Sequence, residues 1–182
     1  MEKTALSIRL YGDPVLRKKA KPVSHISDRH RQILSDMAKT MYAGSGIGLA
    51  APQIGTSESM IVADIGSGLY KLINPKIMKR EGWQVLDEGC LSIPGVCIKV
   101  KRARKITLTA QDEFSHPLTL EADDLLACVL QHEMEHLKGK LIVDYASIFE
   151  RLKIKQKLAK LAQKIKDEKL PESKKESCQL QL

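Results

Sequence analysis

Residues 122–138 read ADDLLACVLQHEMEHLK, and the pentapeptide HEMEH at 132–136 gives that stretch its meaning. Two aspartates suit a helix N-terminus, and Gly139 follows Lys138 in the order common at a helix C-terminus. Between them Leu125, Val129, His132 and His136 fall at spacings of 4, 3 and 4, which is one face of an α-helix. The apolar stripe runs straight into two imidazoles one turn apart. Such a pair can hold a divalent ion from one side. Glu133 then projects near the remaining ligand position, where it can take a proton from metal-bound water. The competing explanation is a pair of core histidines satisfied by protein hydrogen bonds.

Around this helix the chain extends to 182 residues with 43% hydrophobic character, enough for one domain with a real core. Aromatics at 4% are too sparse for a base-stacking surface. No apolar run approaches a membrane span, and the N-terminus MEKTALSIRLYGDP lacks the apolar core of a signal peptide. The expectation is a cytoplasmic protein without a membrane partner. Cys90, Cys97, Cys128 and Cys178 form no CxxC pair and are expected as thiols.

The net charge is +8, concentrated near the C-terminus. In RLKIKQKLAKLAQKIKDEKL (151–170) the acids are Asp167 and Glu168 alone, while Ile154, Leu158, Leu161 and Ile165 make a helical stripe. A basic helix over 148–169 is expected to dock on the domain. Its charged face is either simply solvated or meets a polyanion such as RNA.

Upstream, GDPVLRK (12–18) reads as a turn with a short helical piece, and 26–42 reads as a helix that Gly44 stops. GSGIGLAAPQIG (44–55) has neither helical nor strand period; its glycines permit close approach by a ligand or a neighbouring strand. Strands are predicted over 60–65, 70–77, 96–101, 104–112 and 117–122. Strands clustered between terminal helices predict an α+β fold. Antiparallel or mixed sheets surround the histidine helix, in one domain over 1–170 with a disordered tail at 171–182.

Two histidines leave a catalytic ion one protein ligand short. The metzincin pattern would need a histidine where Ile142 stands, and Glu150, the acid a thermolysin-like site would use, has no second motif around it. The choice left is an upstream cysteine or acid, and EGCLSIPG (88–95) offers Cys90 in a turn-like segment. A thiolate with two imidazoles suits Zn²⁺ or Fe²⁺.

GIGLAAPQIG (46–55), EGCLSIPG (88–95) and QHEMEHLKGKL (131–141), in that order, resemble the three signature motifs of bacterial peptide deformylases, and YGDPVLRKKAKPV (11–23) is similar to the family's N-terminal pattern. The resemblance implies a metal-dependent hydrolase that removes the formyl group from the formylmethionine of nascent polypeptides and releases formate. It implies Cys90, His132 and His136 as metal ligands and Glu133 as general acid/base, with the Gln53 amide and Leu91 N–H as oxyanion donors. Gly46, Ile47 and Gly48 would lie along the peptide, and Ile47, Leu125 and Val129 would line the methionine pocket. Fe²⁺ is implied as the native ion, with Zn²⁺, Ni²⁺ or Co²⁺ possible in purified protein. The basic C-terminal helix is implied to meet the ribosome near the exit tunnel. Two positions depart from the pattern: Glu135 stands where the family usually has aspartate, and Cys97 where arginine is common.

Overall fold

The computed structural model describes residues 6–166, so the tail at 171–182 lies outside the described residues. The elements run α1 (Asp28–Ala43), β1 (Gly48–Ala50), β2 (Met60–Ala63), β3 (Tyr70–Glu81), β4 (Gln84–Glu88), β5 (Ile98–Arg102), β6 (Lys105–Gln111), β7 (Pro117–Asp123), α2 (Asp124–His136) and α3 (Ile148–Lys166). Short 3-10 turns cover Pro14–Arg17, Ala51–Ile54 and Ile142–Tyr145. Five strands form a sheet in the order β1-β2-β3-β6-β7, and β4 pairs with β5 separately. Each of these neighbouring pairs is antiparallel, which settles the sheet type within the expected α+β class.

The period-two rule explains how the sheet is covered. In β2, Ile61 and Ala63 pack in the same cluster as α2, while Met60 and Val62 pack with α1. This end of the sheet is therefore enclosed on both faces, and a continuous apolar MIVA is what such a strand requires. In β6, Ile106, Leu108 and Ala110 turn inward while the residues between them are partly exposed. A third cluster joins Leu10, Leu16, Ile93, Ile98, Val100 and Ile142 to Leu161 of α3, with Ile154 and Leu158 packed on it. These are three of the four residues in the expected α3 stripe; the side chain of Ile165 lies outside the described residues.

α2 differs from expectation in two respects. Residues 126–134 are buried without interruption, so the helix is enclosed rather than buried along one stripe. The aspartates also do not cap it: the Asp123 side chain makes no cap hydrogen bond. The chain passes directly from β7 into α2 through Asp124 at φ 44°, in the left-handed region that aspartate tolerates better than most residues. Gly139 behaves as expected. Its φ is 73° and a Cβ there would lie 2.5 Å from the Arg17 carbonyl oxygen, so only glycine fits behind the helix.

β1 and β4 were not expected from the sequence. β1 has three residues inside the glycine-rich segment, and β4 (QVLDE) mixes charge with apolar positions. Both lead to the site. β1 is the edge strand against α2, and β4 ends at Glu88, two residues before Cys90.

Candidate metal centre

α2 projects His132 and His136 from consecutive turns, with the imidazole nitrogens Nε2 3.2 Å apart. The segment after β4 returns over the helix and sets Cys90 Sγ 3.3 Å from His136 Nε2. One ligand atom from each of the three residues lies within 4.8 Å of the others, and all three side chains are buried. Cys90 and Cys128 are free thiols.

Glu133 is fully buried, and neither carboxylate oxygen has a hydrogen-bond partner. Burial, with the Glu88 charge second, pushes its pKa well above the usual carboxylate range. Burial also lifts the Cys90 thiol to about 12, with Glu133 adding to the rise. Burial, then His132, holds the His136 imidazole well below its ordinary pKa, so its ring keeps a lone pair to donate. His132 Nδ1 lies 2.9 Å from Glu88 Oε2. An Nδ1–H given to that carboxylate leaves Nε2 free to face Cys90 and His136. These groups fit a divalent cation. Three soft or borderline donors converge, and a positive charge would lower the pKa of both the thiol and Glu133.

Glu88 carries the support of the site. Desolvation works against its charge, but Arg102 and His132 overcome it and hold the pKa down at about 2. Arg102 Nε and Nη2 donate to its two oxygens at 2.6 and 2.7 Å, and the Cys128 thiol donates at 3.2 Å.

Gln53, Leu91, Gly48 and Val129 lie around the same centre. Gln53 is fully buried; its Oε1 accepts the Ala50 N–H at 2.7 Å, which turns Nε2 toward Cys90 Sγ at 3.6 Å and Ser92 Oγ at 3.3 Å. Ser92 was not anticipated, since nothing in its spacing marks it. Leu91 follows Cys90 in a turn closed by the Ile93 N–H on the Cys90 carbonyl at 2.8 Å. A Cβ on Gly46 would meet Leu91 Cδ1 at 2.7 Å. Gly48 lies directly against the catalytic candidate: a Cβ there would come 2.4 Å from Glu133 Oε1 and 2.9 Å from Val129 Cγ1. Val129 is fully buried, and Ile47 and Leu125 pack at the margin of its cluster. Because Gly48 faces Ala63 while the Asp64 N–H bonds the Ile47 carbonyl, the alternation of an antiparallel ladder turns the Gly48 N–H and C=O to the free edge of β1.

Comparison with known proteins identifies the family. The family described as Polypeptide deformylase matches residues 5–152. A curated peptide deformylase of Thermoanaerobacter pseudethanolicus is 51% identical over 142 residues, covering 78% of this chain and 89% of the relative. One from Hamiltonella defensa is 46% identical over 167 residues, covering 90% and 97%. The crystal structure of peptide deformylase from Thermus thermophilus superposes with a TM-score of 0.84 at 38% identity, covering 88% of this chain and 99% of that one.

Proposed function

The chain belongs to the polypeptide deformylase family, and from that premise we propose that it removes the formyl group from the formylmethionine of nascent polypeptides and releases formate. The observation that carries this reading is the convergence of Cys90, His132 and His136 beside the unpartnered Glu133 carboxylate. In this reading those three residues hold one divalent ion, Fe²⁺ in the native protein, with Zn²⁺, Ni²⁺ or Co²⁺ as replacements. When bound, the metal makes a water nucleophilic at neutral pH and polarises the formyl oxygen.

The chain's own residues do the rest. Glu133 accepts the proton of the attacking water and returns one to the methionine nitrogen as the amide bond breaks. The Gln53 amide, held by Ala50, and the Leu91 N–H donate where negative charge develops on oxygen. The segment Gly46–Gly48, with the free edge of β1 at Gly48, takes the peptide as an added strand. Ile47, Leu125 and Val129 receive the methionine side chain. Glycine at 48 leaves Glu133 unobstructed. Residues 1–170 act as one catalytic domain. α3 presents exposed Lys153, Lys155 and Lys160, a charge that suits the RNA of the ribosomal surface near the exit tunnel. Work on nascent chains puts the enzyme in the cytoplasm; none of the described helices is long and apolar enough to cross a membrane.

Incubating metal-loaded protein with formyl-Met-Ala-Ser and its N-acetyl counterpart tests the reading. Formate should appear from the first, and the second should stay intact, because packing around a hydrogen-bearing carbon excludes the methyl group. Cleavage of internal peptide bonds without formate release would return the chain to an HExxH protease.

A further inference from the structure

Glu135 lies on α2 between Glu133 and His136, where its side chain departs from the aspartate usual in the family. Its Oε2 is 2.8 Å from Arg102 Nη1, and its Oε1 accepts the Tyr145 hydroxyl. The Arg102 side chain is only 3% exposed, and the other side of its fork is taken by Glu88. The Tyr145 ring covers the guanidinium, with Cζ 5.5 Å from the ring centroid. Arg102 is thus held at both ends of its fork and over one face. With the Glu135 contact gone, the guanidinium could pivot about Glu88, and Glu88 is the group that receives His132 Nδ1. An aspartate at 135 would be about 1.5 Å shorter.

We propose that Glu135, clamped by Tyr145, is a positioning residue for the metal centre: it fixes Arg102, which holds Glu88 against His132 and sets that ring's orientation. The proposal rests on reading Cys90, His132 and His136 as the metal site. The bland alternative is that Glu135 and Tyr145 merely pin the 142–145 turn to α2.

Co²⁺-loaded protein separates the two through its visible ligand-field bands and through Co²⁺ affinity measured by chelator competition. Replacing a hydrogen-bond partner of a ligand costs about 10–100-fold in metal affinity, the loss expected for Glu88→Gln. Glu135→Gln should weaken Co²⁺ by about 10-fold and shift the bands, with Glu135→Asp intermediate in both. In the Glu88→Gln background the Glu135→Gln change should add nothing, because its effect passes through Glu88. Unchanged bands and affinity in Glu135→Gln, with only a lower Tm, would overturn the proposal, and so would fully additive losses in the double variant. If Glu135→Gln does not fold, Tyr145→Phe keeps the ring and removes only the hydroxyl. A smaller loss of affinity with shifted bands supports the clamp, and wild-type values overturn it. Wild-type protein that holds no Co²⁺ would instead overturn the metal reading underneath.

Discussion

Glu133 is a buried carboxylate with no protein donor on either oxygen, which is an expensive place for a charge and a useful one for a proton carrier. Burial raises its pKa, and a cation beside it would lower it again and return it to a base; the ligands and the proton carrier are separate groups with separable losses. Glu133→Ala should retain the metal while formate release falls at least about 100-fold. Cys90→Ser should instead lose metal, because a hydroxyl is a harder and less acidic donor than a thiol. Metal analysis beside a formate assay reads both; an active, metal-loaded Glu133→Ala would remove the glutamate from the mechanism. The histidines and Glu133 were legible because five consecutive residues on one helix fix their relation. On spacing alone Cys90 is one of several open choices that only the family resemblance narrows, and Ser92 and Tyr145 carry no local signal at all.

Among the elements, α3 pairs a docked face with a charged one. Leu161 is buried while Lys153, Lys155 and Lys160 are exposed. Lys157 is different, since its Nζ donates to the Gly95 carbonyl at 2.6 Å and so ties α3 to the Cys90 segment. Reversing Lys153, Lys155 and Lys160 to glutamate should leave hydrolysis of a free formyl peptide unchanged. It should sharply reduce co-sedimentation with ribosomes at low salt, and wild-type binding should weaken as salt rises. Equal co-sedimentation of variant and wild type would reduce the helix to a docked element with a solvated face. Its stripe was readable because helical periodicity survives in any solvent-facing helix. β1 was not readable, since three residues in a glycine-rich run cannot display a period and its pairing with β2 is a tertiary event.

Across the whole molecule, the candidate ligands come from the segment after β4 and from α2, which belong to different clusters of the core. A bound ion would therefore cross-link the fold and shift its stability by mass action. At free metal about 1,000 times Kd this amounts to about 4 kcal/mol, or roughly 10 °C in Tm for a chain of this size. Calorimetry before and after chelation should show that drop and its recovery on adding metal; a Tm indifferent to both would deny the ion any place in the native structure. The sequence by itself determined the α+β class, the two terminal helices, the histidine helix and the chemistry of its face, because each is written in local periodicity or in a contiguous motif. The tertiary structure alone decided that α2 is enclosed on all sides, that Gly48 must lack a side chain to clear Glu133, and that Glu88, Arg102, Glu135 and Tyr145 meet behind His132. Those contacts join residues far apart in the chain, and no spacing along a strand or helix records which distant side chains folding brings within hydrogen-bond reach.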